Sequence, residues 1–278
     1  VRFDFKAFPL GPALCPPYDV IPEKLRARLR RRAGNAIHLE LPAGPAGSGP
    51  GRARRLWLRW REKGVLGRDP APAFYVVEQI FRLSGRLRRR TGLLAALGLD
   101  AGTARRVLRH ERTLPKPKRE RTRLLRKIKA NTSPIFGVYT DPGGKMRSLL
   151  AAARRRRPLA AGVDAQGVAY RLWRADDARL TGRMERALRD RSLLIADGHH
   201  RYEVARNHWR KTREEGAGEI LAYLVAEEDP GLVVHPTHRV LSPDQRVSRA
   251  LARFCVGRPV GDLAALKRAL ARAASPYA

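Results

Sequence analysis

The segment Ser192–Ala205, SLLIADGHHRYEVA, holds the densest group of residues suited to chemistry. Its apolar residues Ser192–Ala196 predict a short buried strand, and a helix is expected to begin directly after Gly198. The first N–H groups of a helix have no partner within the helix, and the helix dipole adds partial positive charge there. The pattern therefore predicts a phosphate-binding strand-to-helix turn at residues 197–201.

Each side chain of this turn has a chemical use. Gly198 allows a close backbone approach, and Arg201 carries a planar fork that matches phosphate oxygens. His199 and His200 can donate or transfer protons, and Asp197 can orient a histidine or hold Mg²⁺ beside phosphate. A purely structural interpretation stays open, in which Asp197 caps the helix, Gly198 serves the turn and both histidines are ordinary polar residues.

A second group of ionisable residues lies at 109–118. Glu111 follows His110 in a basic surround, so we expect its carboxylate to stay ionised and to be able to act as a general base. Lys116 and Lys118 follow and can bind phosphate oxygens. A solvated loop with a salt bridge fits the same residues.

Two shorter polar segments, one near residue 18 and one near residue 133, also carry candidate site residues. Tyr18 and Asp19 follow two prolines in a rigid turn, where they can line a site or cap the next helix. Ser133 stands just before the strand predicted at Pro134–Tyr139. We expect Tyr18, Asp19 and Ser133 to help bind substrate or phosphate.

A further polar group ends the apolar strand predicted at Leu232–Leu241. It combines a hydroxyl, an imidazole and a guanidinium, carried by Thr237, His238 and Arg239. These groups suit a binding site, although a plain polar strand end explains them equally well.

The order of patterns predicts an α/β or α+β fold with a mixed sheet and helices. Strands at Phe74–Phe81 and Thr91–Asp100 are expected to pair, and a helix at Lys118–Ala130 to turn Leu124, Leu125 and Ile128 inward. The Pro- and Gly-rich stretch Pro42–Gly51 predicts a flexible loop. We expect one globular unit over residues 1–278, with subdomains 1–140 and 141–278 as the alternative division.

The composition excludes several classes of protein. A chain of 278 residues that is 43% hydrophobic can bury a core. No run approaches the roughly 18 apolar residues of a membrane helix, and the first twenty residues lack the layout of a secretory signal. We therefore expect a cytoplasmic protein without a membrane partner. The distant Cys15 and Cys255 disfavour disulfides and structural zinc.

The formal net charge of +32 has two explanations. Lysine and arginine can neutralise nucleic-acid phosphates, and the runs 30–32, 88–90 and 154–157 predict nonspecific nucleic-acid binding at low salt. Alternatively, the excess arginine is solvated background of the kind that GC-rich coding DNA produces. The low aromatic content of 6% gives no evident platform for stacking bases.

Six segments in one order resemble the bacterial family known as domain of unknown function 1015. The segments are Pro16–Ile21, Gly64–Phe81, His110–Leu125, Asn131–Tyr139, Ala196–Ala205 and Pro236–Val240, and they span nearly the whole chain. Compared with that family, we expect this chain to be short at its C-terminus.

The turn ADGHHRYE is also similar to the phosphate-binding turn of the ParB and sulfiredoxin superfamily. This resemblance implies a ParB/sulfiredoxin-like core in which Gly198, His199, His200 and Arg201 hold a donor phosphate. It implies a phosphotransferase of serine metabolism, with free L-serine as acceptor, ATP, ADP or pyrophosphate as donor, and Mg²⁺ held by Asp197. The alternatives are a noncatalytic ParB-like nucleic-acid-binding protein and an inactive relic.

Overall fold

A mixed sheet of eight strands organises residues 1–232, one of two compact units into which the chain divides. The computed structural model describes residues 1–45, 47–234, 244–254 and 256–272. Two short strands, β1 (Arg2–Phe3) and β2 (Leu66–Gly67), form a separate antiparallel pair. The strands of the large sheet are β3 (Phe74–Leu83), β4 (Arg86–Gly98), β5 (Val107–Leu108), β6 (Ile135–Tyr139), β7 (Ala160–Val163), β8 (Ala169–Ala175), β9 (Leu193–Asp197) and β10 (Glu219–Ala226).

The strand order in the large sheet is β5-β9-β6-β10-β4-β3-β8-β7. β3 and β4 pair antiparallel as predicted, joined by a tight turn in which Ser84 and Gly85 both have positive φ. β6 runs parallel to β10 and antiparallel to β9. The mixed α/β fold expected from the sequence is therefore confirmed.

The helices include those predicted at Lys118–Ala130 and directly after Gly198. The helices of the described residues are α1 (Leu10–Ala13), α2 (Glu23–Arg30), α3 (Ile37–Glu40), α4 (Gly49–Glu62), α5 (Ala101–Arg106), α6 (Pro115–Ile128), α7 (Lys145–Ala153), α8 (Ala178–Leu188), α9 (His199–Thr212), α10 (Gln245–Ala252) and α11 (Leu263–Arg272), and a 3₁₀ turn lies at Tyr18–Val20. Among these helices, none is long and apolar enough to cross a membrane.

The prediction of a loop over Pro42–Gly51 is wrong at its end, because α4 already begins at Gly49. Pro50 lies in the first turn of that helix. A proline there loses no hydrogen bond, since the first N–H groups of a helix have no intrahelical acceptor. The Pro- and Gly-rich composition therefore marks the start of a helix as well as the loop before it.

α6 packs between two hydrophobic clusters. Leu124 and Ile128 join a small cluster around Trp60 of α4, while Leu125 packs against the main core of the sheet. The main core also receives the buried side chains of α7, α8 and α9. The inward face predicted for this helix is confirmed, and it fixes α6 beside α9.

Part of the arginine excess has structural partners. Glu78 of β3 is buried, and its carboxylate contacts Arg154 at 2.6 Å and both Arg89 and Arg171 at 3.4 Å. A buried carboxylate is costly unless it is paired and hydrogen-bonded. The run at 154–157 is therefore not uniformly solvated background.

The domain divisions proposed from the sequence stay predictions. The sheet takes strands from both sides of residue 140, while the second compact unit, 233–278, contains α10 and α11. The strand predicted at Leu232–Leu241 is not formed over residues 232–234. Its remaining residues, with Thr237, His238 and Arg239, lie outside those that the structure describes.

Packing at the centre of the sheet can be tested on β4. Leu93 is fully buried between Val76 of β3 and Leu224 of β10. Leu93→Ala would remove the packing contacts of this side chain and leave a cavity in their place. The free energy of unfolding, measured by urea denaturation, should therefore fall by about 2–5 kcal/mol. The matched change Leu87→Ala removes a side chain that is 63% exposed on the same strand. It should cost no more than about 0.5 kcal/mol, and equal losses would contradict the placement of the core.

Candidate functional site

The turn between β9 and α9 has the predicted strand-glycine-helix form. Gly198 has φ +95°, a left-handed conformation that favours glycine. A Cβ atom at this position would lie 3.0 Å from Ile135 Cγ2 and 3.1 Å from the Arg201 guanidinium. β6 shifts register between Phe136 and Gly137, where it pairs with the end of β9. Such irregularities redirect a strand end, here the one that leads into the turn.

The start of α9 carries no side-chain cap. Its N-cap is Gly198, and no acidic residue stands in its first turn. α2, α4 and α6 also lack a side-chain cap, whereas Asp100 caps α5 and Asp177 caps α8, each by accepting a backbone N–H. The first N–H groups of α9 are therefore available to an external anion, as the sequence predicts.

Arg201 fixes the turn through its guanidinium. Nη2 donates to Asp197 Oδ2 at 2.5 Å, and Nη1 donates to Ser133 Oγ at 3.0 Å and to the Pro134 carbonyl at 2.5 Å. The side chain is only 10% exposed. Because these acceptors bind both Nη atoms of the guanidinium, Arg201 joins the turn to the segment before β6 and does not present those atoms freely to a phosphate.

His199 is buried beside the loop that precedes α6. Its side chain is 1% exposed, and its Nδ1 lies 3.2 Å from Glu111 Oε2 without hydrogen-bond geometry. The ring of His110 meets it edge-on, with centroids 4.5 Å apart. Burial lowers the pKa of His199, and His110 lowers it further, against a smaller opposing effect of Glu111. A phosphate at this residue would meet its backbone N–H and not its neutral ring.

His200 and Glu203 attach the same loop to α9. His200 Nε2 accepts the N–H of Leu114 at 2.9 Å. Glu203 accepts from the hydroxyl of Thr113 and from Lys118 Nζ, the latter at 2.8 Å. Burial alone would raise the pKa of Glu203, but these two hydrogen bonds outweigh burial and hold the pKa below its usual range. Sequence reasoning missed Glu203, although it lies four residues after His199 and thus on the same helix face.

A buried ion pair lies on the other side of the turn. Glu40 accepts from Arg121 Nη1 at 3.0 Å and from the hydroxyl of Thr132, while the Arg121 guanidinium lies 4.1 Å from the ring centre of Tyr18. Burial raises the pKa of Tyr18, although the charge of Arg121 opposes that rise. Burial and the Glu40 carboxylate raise the pKa of Cys15 to about 12, so this thiol stays protonated.

The structure thus gathers most of the predicted site residues around one turn. Those brought together are Tyr18, His110, Glu111, Lys118, Ser133, Asp197, Gly198, His199, His200 and Arg201. Asp19 and Lys116 are exposed, and their side chains form no hydrogen bond or ion pair within the described residues. The structure adds three charged residues that were not among the predicted site residues, namely Glu40, Arg121 and Glu203.

A metal site built only from protein groups is not found among the described residues, which contain no group of three potential ligands. Asp197 is 43% exposed, and only its Oδ2 is used by Arg201. Mg²⁺ commonly takes one carboxylate together with substrate phosphates and water. Asp197 therefore fits a magnesium ion that arrives with a phosphate-bearing ligand.

The neutral state of His199 predicts a pH dependence of stability. Because its folded-state pKa lies below the reference value of 6.5, the unfolded chain takes up a proton first as the pH falls. The free energy of unfolding should therefore decrease between pH 7.5 and pH 5.5, and His199→Gln should remove this part of the decrease. Urea denaturation at both pH values tests it, with His208→Gln as control. An unchanged slope in His199→Gln would contradict the burial of a neutral imidazole.

Comparison with known proteins places the chain in a family. Residues 1–256 match the family described as "Protein of unknown function (DUF1015)". Neither the curated proteins nor the solved structures contain a match. A ParB/sulfiredoxin-like core therefore stays a prediction. Since the match covers most of the 278 residues, the chain belongs to the DUF1015 family.

Proposed function

We propose that the β9–α9 turn binds the phosphates of a small-molecule donor and that the protein transfers a phosphoryl group to a small alcohol. The observation that carries this proposal is the uncapped start of α9, directly after Gly198. ATP, ADP or pyrophosphate is the proposed donor, and free L-serine is the leading acceptor. Phosphoryl transfer needs mainly positioning and neutralisation of oxygens, which such a turn supplies.

Backbone N–H groups are the proposed contacts to the donor. The side chains of His200, Arg201 and Glu203 are already used to hold neighbouring segments. Their bonds keep the turn rigid, so the N–H groups need little reorganisation when a phosphate binds. Mg²⁺ held by Asp197 would neutralise charge on the donor phosphates.

Glu111 is the proposed general base. Its carboxylate is 57% exposed and lies beside the first residue of α9. Its Oε2 lies 3.2 Å from Nδ1 of the neighbouring His199 without hydrogen-bond geometry, so the carboxylate oxygens stay available to the hydroxyl of an acceptor. Asp197 is the poorer base because Arg201 already binds it. His110 contacts His199 edge-on and positions the loop that carries Glu111.

The proposed step transfers the terminal phosphoryl group of the donor to the hydroxyl of the acceptor. The hydroxyl oxygen of the acceptor attacks the terminal phosphorus of the donor, and the bond from that phosphorus to its bridging oxygen breaks. Glu111 takes the hydroxyl proton, and the shortened donor leaves with the bridging oxygen.

The variant Glu111→Gln tests this assignment, because it keeps the shape of the side chain and removes its basicity. Formation of phosphoserine from L-serine and each donor should fall by about 10²–10⁴-fold. The rise in melting temperature that each donor causes should persist, since donor binding uses the turn.

Glu120→Gln is the matched control, because Glu120 is an exposed carboxylate on α6. It should leave both turnover and donor binding unchanged. Normal turnover in Glu111→Gln would move the base to another residue. No thermal stabilisation of the unmodified protein by any of the three donors would overturn the proposed function itself.

A further inference from the structure

A groove of about 440 Å³ lies between α6 and α9, alongside the two helices and not at the β9–α9 turn. The helices run side by side, because Leu114 bonds to His200 and Lys118 to Glu203. The residues that line the groove are Pro115, Lys118, Arg119, Thr122, Arg123, Arg126, Val204, Asn207, His208 and Lys211.

The lining of this groove carries a concentrated positive charge. Arg119, Arg123 and Arg126 recur every three or four residues along one face of α6, and Lys211 faces them from α9. None of these four cations forms a hydrogen bond or ion pair within the described part of the chain. No carboxylate lines the groove there, and nearby Glu203 is already taken by Lys118.

Two further polar side chains of the groove, His208 and Asn207, carry groups without a hydrogen-bond partner, whereas the hydroxyl of Thr122 donates to the Lys118 carbonyl. His208 Nδ1 is buried without a hydrogen bond, and the amide of Asn207 is exposed beside it. Guanidinium, ammonium and amide groups all donate hydrogen bonds. A ligand that satisfied them would have to be an anion with several acceptor oxygens.

Helix electrostatics do not account for the arrangement. Cations near a helix C-terminus stabilise it, which fits Arg126 and Lys211. Arg119 lies in the N-terminal half of α6, where the dipole gives no such benefit. Moreover, like charges four residues apart, as in Arg119 and Arg123, destabilise a helix by a few tenths of a kcal/mol. A bound anion would relieve that repulsion.

We propose that this groove is a second anion-binding site that takes a linear chain of phosphates, either inorganic polyphosphate or the triphosphate of a nucleotide. Arg119 and Arg126 are seven residues apart, so the cations extend over roughly 10 Å of helix, more than one phosphate can bridge. The volume suits a small molecule. His208 is the one aromatic ring among the lining residues, which offers little stacking surface for the bases of a nucleic acid.

Titration calorimetry of the whole chain with inorganic tripolyphosphate at about 0.15 M salt tests the site. The double variant Arg119→Gln/Arg123→Gln removes two charge-assisted contacts and should weaken binding in the groove by about tenfold or more. The control Arg155→Gln/Arg157→Gln removes the same charge from exposed positions elsewhere. This control should change the affinity for tripolyphosphate by no more than about twofold, because salt screens the attraction between exposed, distant charges and the ligand.

Several results would overturn the groove site. Equal weakening of tripolyphosphate binding in both double variants would indicate diffuse attraction by the net charge. If the unmodified protein did not bind tripolyphosphate at all, the proposed site would also be wrong. Tighter binding of a single-stranded oligonucleotide of equal formal charge, with displacement of tripolyphosphate, would assign the groove to nucleic acid.

The affinity for ATP distinguishes the two sources of a phosphate chain. Equal affinity for ATP and tripolyphosphate would support recognition of the phosphate chain alone, and weaker ATP binding would support inorganic polyphosphate.

A variant at the turn separates this site from the proposed donor site. Gly198→Ala introduces a Cβ that crowds the β9–α9 turn and strains a positive φ. Groove binding of tripolyphosphate should persist in Gly198→Ala. Loss of all binding in Gly198→Ala, with full binding in Arg119→Gln/Arg123→Gln, would overturn the groove site and leave the turn as the one anion site.

Discussion

The hydrogen bonds of the Arg201 guanidinium are the constraint on which the rest of the candidate site depends. They join Asp197, at the end of β9, to Ser133 and Pro134, just before β6. A nearly buried guanidinium is costly unless its donors are paired, and both Nη atoms of Arg201 are paired while its Nε is not, so the contacts of the Nη atoms favour one arrangement of the turn. With the turn fixed, the first N–H groups of α9 point to a fixed position, which is the condition for binding an anion without reorganisation.

α9 then holds the loop that carries Glu111, the proposed general base. His200 and Glu203 lie on the face of α9 that meets the loop before α6, and they bind Leu114 and Thr113 respectively. Their contacts bring Glu111 beside the start of the helix. The same helix, through its later turns, forms one wall of the basic groove. One helix therefore supports two features that suit anions, an uncapped N-terminus and a cationic flank.

Local patterns predicted the elements of the site but not the partners of its charged groups. The apolar run before Gly198 and the spacing of Leu124 and Ile128 depend on neighbours in sequence, so they could be read directly. Two of the three partners of Arg201, Pro134 and Ser133, lie 67 and 68 residues away in the chain, and Arg121 pairs with Glu40 over 81 residues. The third partner, Asp197, lies four residues before Arg201, at a helical spacing that is visible in the sequence. No local pattern reveals the distant contacts, so the sequence predicts Arg201 as a phosphate ligand and gives no sign of Glu40. Glu203 is different, because its helical spacing from His199 was visible in the sequence.

The central claim is that phosphate meets the backbone at the start of α9. The most direct measurement is the change in backbone amide NMR shifts during titration of the protein with pyrophosphate. If phosphate binds there, the amides of Gly198, His199 and His200 should show large, saturable shifts. The amides of residues 178–180 should show none of comparable size, since Asp177 already caps α8. Shifts of equal size at both helix starts, or none at residues 198–200, would contradict the claim.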